Sequence, residues 1–384
     1  MLENSAGVSR RDVLKATAGS IATVSATGLA AAKPEDTVEI NVGFKSDRGR
    51  SAALDAAEDV VRKFPFDAVT IRAPKKAVTG LENSPQIRYV EENGEMHALA
   101  QDLPWGIDRV DAEIAHNNGD TGWGGDVAII DTGIDSDHPD LQGNLGTGYA
   151  ATSCSYWYGD CRYAWDDDNG HGTHCAGIAG AIDNSEGVVG VAPDITLHAV
   201  KVLNYNGGGS YSDIADGIRW VADQGYDVGS LSLGGGYSSA VYDAVQYAYN
   251  RGVTLVAAAG NDGSCTDCVS YPAAHSEVIA VSATSSDDSF ASFSSQGPEI
   301  ELAAPGESIY STYTGGGYDT LSGTSMACPH VSGAAGALRA AGYGHGSARS
   351  RLRNTAENIG LSSNRQGYGL LDVASAFGHW SGDN

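Results

Sequence analysis

Four short runs between residues 126 and 284 are apolar at almost every position: DVAIIDTG (126–133), TLHAVKVL (196–203), VTLVAAAG (253–260) and VIAVSAT (278–284). Runs rich in Val, Ile and Ala, without strict alternation and separated by helical segments, predict strands of a parallel sheet covered on both faces. Upstream the pattern changes. VEINVGF (38–44), AVTIRA (68–73) and QIRYVEEN (86–93) read as strands. SAALDAAEDVVRKF (51–64) reads as an amphipathic helix with Ala53, Leu54, Ala57, Val60 and Val61 on one face, and KKAVTGLEN (75–83) as a short helix. Strands interleaved with helices over so short a stretch predict a separate small α+β unit of ferredoxin-like type at 38–99, ahead of an α/β domain at 100–384. The small unit carries no catalytic constellation.

Charge changes the picture. The 384 residues carry a formal net charge of −25, and nearly all of it belongs to the larger domain. Residues 1–99 hold 13 Lys and Arg against 14 Asp and Glu; residues 100–384 hold 10 against 34, with Lys201 their single lysine. Such a surface repels nucleic acid and anionic membranes. It also repels itself, a cost that fades at molar salt, where the screening length is ~3 Å. The composition therefore reads as adaptation to brine. No apolar run outside the N-terminal region is long enough to span a bilayer, so no membrane association is expected of the mature chain. At the N-terminus, Ser9-Arg10-Arg11-Asp12-Val13-Leu14-Lys15 precedes a weakly apolar run and the small residues Ala30 to Ala32. This resembles a twin-arginine export signal over 1–32, which implies secretion of an already folded protein.

Three motifs carry candidate chemistry. AIIDTGID ends a buried strand on Asp131, NGHGTHCAG sets His171 among glycines at a helix start, and SGTSMACPH sets Ser325 at the N-terminus of a long helix. An acid, a base and a nucleophile in the order Asp, His, Ser are the parts of a serine-hydrolase triad. Taken singly, a strand-end Asp, a His pair and a Ser before a helix are ordinary structural features. Together, with GVVGVAP, SLSLGGG, AAAGND, YPAA and GYGLLDVASA in order, they resemble the subtilisin-like serine proteases from about Gln101 to Ala376. Within that family the chain resembles the halolysins of salt-loving archaea.

That resemblance implies a three-layer α/β fold with a mainly parallel sheet, preceded by an inhibitory propeptide, and a secreted endopeptidase acting as a monomer on protein and peptide substrates. Asn261 matches the family's side-chain oxyanion donor, with Thr324 adding a weaker hydroxyl. His138, His174 and His330 are expected to be structural. Substrate would pair as an added strand with Gly207, Gly208 and Gly209 on one side and Ser232, Leu233 and Gly234 on the other. Leu233, Gly234, Ala259 and Gly260 would wall the pocket before the scissile bond; Gly229 and Ser230 depart from the family pattern and leave subsite detail open. A structural Ca²⁺ would be held by Gln101, Asp140, Ile182, Asn184, Glu186 and Val188. DDDN at 166–169 offers two readings, a further cation site and a solvated acidic patch, and the patch is expected. EMHAL/AQDL aligns with the processing junction, giving a cut between Leu99 and Ala100 and a preference for a medium apolar residue before the cut. Six cysteines permit fifteen full connectivities, and spacing does not choose among them. Export leads to the expectation of Cys154–Cys161 and Cys265–Cys268 disulfides, with Cys175 and Cys328 as buried thiols. The rival from another class is a catalytically silent binding protein on the same fold.

Overall fold

The structure, a computed structural model, describes residues 37–93, 101–263 and 265–380. The export segment at 1–32 and the Leu99–Ala100 junction lie outside the described residues. Two compact units divide between residues 97 and 98.

In the first unit the order is β1 (Thr37–Phe44), α1 (Asp47–Ala56), β2 (Asp59–Lys63), β3 (Ala68–Pro74), α2 (Lys75–Glu82) and β4 (Ile87–Glu92). The strands form one antiparallel sheet in the order β2-β3-β1-β4. This is the split β-α-β arrangement of ferredoxin-like folds. Ile40, Val42 and Phe44 alternate along β1 onto one face and bury against Val69, Ile71, Leu81 and Ile87. The helix predicted over 51–64 stops early. It starts at the Ser46 cap and ends at Ala56, Ala57 turns extended, and Val60 pairs with Ile71 in the sheet. Two adjacent β-branched valines favour a strand, and their spacing from Ala53 and Leu54 had mimicked a helical stripe. Val61 faces solvent rather than the core.

The second unit is built on a seven-stranded sheet in the order β11-β10-β9-β8-β5-β7-β6, with every pairing parallel. The strands are β5 (Asp126–Asp131), β6 (Tyr149–Ala150), β7 (Thr196–Lys201), β8 (Val228–Leu231), β9 (Thr254–Ala258), β10 (Val278–Thr284) and β11 (Ile300–Pro305). Two short helices, α3 (Trp105–Arg109) and α4 (Ala112–Asn117), precede the sheet; α5 (His171–Gly180), α6 (Tyr211–Gln224), α7 (Ser239–Asn250) and α8 (Thr324–Ala340) cover it. Between β11 and α8 lies a two-stranded hairpin, β12 (Ile309–Tyr313) with β13 (Gly317–Leu321).

Successive residues of β5 point to opposite layers. Val127 and Ile129 pack with Cys175 and Ile178 of α5 and Val331 and Ala335 of α8. Ala128 and Ile130 pack with Ile214, Ile218 and Val221 of α6 and Val241 and Val245 of α7. Each fully buried isoleucine of this kind contributes roughly 1.5–3 kcal/mol. Because β5 sits between β7 and β8, the chain order reverses at its carboxyl end. Open parallel sheets bind ligands in the crevice outside such a point.

Candidate active site

Asp131 is the last residue of β5 and is fully buried, while His171, the first residue of α5, keeps 27% of its side chain exposed. His171 Nδ1 bonds Asp131 Oδ1 at 2.8 Å, and the same oxygen accepts the Thr132 amide at 2.7 Å. The two loops are clasped by close backbone contact. Gly172 N donates to Thr132 Oγ1 (2.9 Å), and a Cβ on Gly172 would stand 2.2 Å from the Gly133 carbonyl. Burial pulls the His171 pKa down, but the charge and hydrogen bond of Asp131, with help from Asp167, outweigh it and leave it raised. His174, one turn on, is different: burial lowers it to about 4, and its Nε2 faces the carbonyls of Ile309 and Asp319. His138 bonds the Gly317 carbonyl and the Asp140 amide.

Ser325 is the second residue of α8. Pro329 lies four residues on and has no N–H, so the Ser325 carbonyl loses its helical donor. Ser232 Oγ supplies one instead at 2.8 Å, and the Cys175 thiol another at 3.4 Å. In return Ser325 Oγ donates to the Ser232 carbonyl at 3.2 Å. Ser325 is thereby tied to the end of β8, its hydroxyl donating to a backbone oxygen rather than to His171. Catalytic hydrogen bonds of this kind often tighten only with substrate present. Burial, with the nearby Asp131 carboxylate, pushes the Cys175 thiol well up, so it stays protonated beside the site.

Asn261 follows β9. Its Oδ1 accepts both the amide (2.9 Å) and the hydroxyl (3.1 Å) of Thr324, which leaves its NH₂ as the outward donor. The Thr324 hydroxyl, expected to face the oxyanion, is spent on Asn261 and on the Gly260 amide. It positions the donor and is not one itself. Gly323 was missed in the sequence. A Cβ there would sit 3.5 Å from Asn261 Nδ2 and 3.7 Å from Ser325 N, so both donors border one point that glycine keeps clear.

A cleft of about 590 Å³ opens at the carboxyl ends of β7 and β8, lined by His171, Leu203, Gly207, Gly208, Gly209, Ser232, Leu233 and Gly234. Tyr211 and Ile214 of α6, Val241 of α7 and Tyr271 add apolar wall that sequence reading did not single out. Their i, i+3 spacing at the start of α6 was the available signal. Ala259 is buried, its backbone paired with Val281 and Ser270, and the Gly260 amide is held by Thr324. Gly229 and Ser230 serve packing below the cleft. A Cβ on Gly229 would meet Leu255 at 2.9 Å, and Ser230 Oγ accepts from Ser332 at 2.8 Å.

Residues 122–369 match the family described as Subtilase family. The chain belongs to that family. It is 38% identical over 384 residues to an alkaline protease of Alkalihalobacillus alcalophilus, covering 95% of this chain and 98% of that protein. It is 43% identical over 311 residues to M-protease of Shouchella clausii (80% and 78%) and 39% over 360 residues to subtilisin E of Bacillus subtilis (90% and 92%). This subtilase is a serine endopeptidase of the subtilisin-like type.

Around the 182–188 loop of the subtilase, oxygen donors gather as a hard cation needs. The carbonyls of Ile182 and Val188 meet the Gln101 amide at 2.7 and 3.0 Å. Asp140 accepts from Asn184 Nδ2 (3.0 Å), the Val188 amide (2.8 Å) and Tyr318 (2.9 Å). Gly187, at φ +64°, leaves room that a Cβ would fill 1.9 Å from Asp140 Oδ2. Glu186 contributes its amide to Asn184 Oδ1 (2.7 Å). The residues fit a bound Ca²⁺. Cys154 pairs with Cys161 and Cys265 with Cys268, while Cys175 and Cys328 are buried thiols.

The DDDN stretch corrects the sequence reading: Asp166, Asp167 and Asp168 are all buried. Asp168 bonds Lys201 Nζ at 2.5 Å, and that fully buried lysine also donates to the carbonyls of Thr132 and Leu203. Asp167 accepts from Asn169, Gly170 and both the amide and hydroxyl of Thr173. These carboxylates are internal fasteners of the segment that delivers His171. Low-complexity acid hid that role, because charge runs usually face water. Among the described residues, no helix is long and apolar enough to cross a membrane.

Proposed function

We propose that this subtilase cleaves peptide bonds with Ser325 as nucleophile, His171 as base and Asp131 as the residue that fixes the imidazole. Ser325 Oγ attacks the scissile carbonyl as its proton passes to His171 Nε2. The negative oxygen that forms is received by Asn261 Nδ2 and Ser325 N, which border the open point at Gly323. His171 then protonates the departing amine, leaving an acyl-enzyme; water, deprotonated by the same histidine, releases the acid. The observation that carries this reading is the 2.8 Å Asp131–His171 bond beside a Ser325 held by Ser232, which lines the same cleft as His171.

Leu233 and its neighbours favour a medium apolar residue before the cut, as Leu99 at the proposed junction does. Gln101, Asp140, Ile182, Asn184, Glu186 and Val188 hold a structural Ca²⁺ that ties the start of the mature chain to the 182–188 loop. Residues 38–99 act as inhibitor and folding aid, removed by cleavage between Leu99 and Ala100. The protein leaves the cell by the twin-arginine route and works in brine, a halolysin-like habit. Supporting salt adaptation, the one lysine of the larger unit is buried, so its exterior presents none.

Ser325→Ala tests the reading. Processing at Leu99 and casein hydrolysis should both vanish, turnover falling about 10⁶-fold as in subtilisin triad knockouts. Unchanged hydrolysis would point to another nucleophile; a wild-type chain with no hydrolysis at any salt concentration would favour the silent binding protein.

A further inference from the structure

Outside the cleft, a cavity of about 520 Å³ is walled by three separate stretches of the larger unit. The turn after β5 gives Asp135 and Asp137. The segment running from the Cys154–Cys161 loop to α5 gives Tyr158, Gly159, Asp160, Asp166 and Asp167, and the β12–β13 turn gives residues 314–316. No function discussed above uses it.

Its carboxylates are not equivalent. Asp167 is fully occupied by the α5 approach, as described. Asp135 is aimed by the amides of Gly315 and Gly316 on one oxygen (2.8 and 3.2 Å) and Asp137 N on the other (3.4 Å). Asp166 is only 1% exposed; Oδ2 accepts the Tyr163 amide at 2.5 Å, Ser136 and the Arg162 amide lie near enough to favour the charged form, and Oδ1 is buried without an aligned hydrogen-bond partner. A buried carboxylate oxygen left without a donor costs free energy unless something positive meets it. Among the described residues no Lys, Arg or His forms an ion pair with Asp135, Asp137, Asp160 or Asp166. Burial and the neighbouring Asp137 push the Asp135 carboxyl up, and burial pushes Asp166 up.

We propose that Asp135, Asp137, Asp160 and Asp166 form a second cation site, separate from the 182–188 loop, that takes Ca²⁺ with part of its water shell. The donors are all oxygen and come from flexible loops, the set and setting that suit Ca²⁺ over transition metals. The size of the cavity leaves space for retained waters, which places the affinity in the weak range of about 10⁻⁴–10⁻³ M. Bound there, the ion joins the disulfide loop and the β12–β13 turn to the segment that leads into His171.

The test uses the full chain carrying Ser325→Ala, to prevent self-digestion, stripped with chelator and titrated with Ca²⁺ by calorimetry. A parallel titration uses Tb³⁺, excited through aromatic residues, because Tyr158 lines the site and Trp165 adjoins Asp166. Asp137→Asn and Asp166→Asn should each weaken the lower-affinity binding by tenfold or more and dim the Tb³⁺ signal, leaving the tighter binding intact. Asp140→Asn should do the reverse. If Asp166→Asn does not fold, Asp137→Asn decides, since that side chain is exposed and its loss disturbs no core. Binding unchanged within twofold in Asp137→Asn, or no Ca²⁺ bound beyond what Asp140→Asn removes, overturns the proposal.

Discussion

In the proposed mechanism Asn261 donates to the developing oxyanion, and Thr324, by claiming its oxygen, leaves the NH₂ for that task. Removing an oxyanion donor from subtilisin lowers turnover by about 10²–10³. Asn261→Ala should do the same here with KM nearly unchanged, as read from kcat and KM on a peptide substrate. Gly323→Ala should also lower kcat, because a methyl would enter the point both donors share; an unaltered kcat would place the oxyanion elsewhere. Titration belongs at this scale as well. With His171 raised by Asp131, kcat/KM should climb with pH through an apparent pKa above the ordinary 6.5, and Asp131→Asn should move that limb to lower pH as well as cut the rate. A flat profile between about pH 5 and 8 would contradict His171 as the base.

Among the elements, the seams matter more than the strands. Pro329 opens α8 at the Ser325 carbonyl, and Ser232 closes it from β8. Lys201 joins the ends of β5 and β7 to the His171 segment. Lys201→Met leaves Asp168 buried and unpaired, which should cost about 3–5 kcal/mol in denaturant unfolding. Lys201→Met with Asp168→Leu should recover most of it; no recovery would mean that the carbonyl contacts, not the ion pair, carry the effect. The sheet itself was largely legible, since β5, β7, β9 and β10 are apolar runs. β8 was less so, its Gly229 and Ser230 being small for packing reasons. β2 was mistaken for helix because two valines can satisfy either period. Asp131, His171, Ser325 and Asn261, the proposed catalytic residues, stood in readable motifs. The cleft walls on α6 and the work of Asp166 to Asp168 were not, because burial is decided by what other segments bring.

At the scale of the whole molecule, charge and buried histidines set the working range. The larger unit, its exterior without lysine and rich in acid, should gain stability as salt rises, so its unfolding temperature should increase from dilute buffer to molar NaCl. A midpoint independent of salt would remove brine adaptation from the account. His174 and His330 are held near pKa 4 by burial. Below pH 6.5 the unfolded chain gains protons that the folded chain refuses, so each should withdraw about 1.4 kcal/mol per pH unit down to about pH 4. The most direct test of the central claim, that Asp131 and His171 activate Ser325, is peptide mass mapping after treatment with a serine-directed fluorophosphonate. One adduct per chain, on Ser325, absent in Ser325→Ala and strongly slowed in His171→Ala, is the expected result. Equal labelling without His171, or an adduct on another residue, would contradict it.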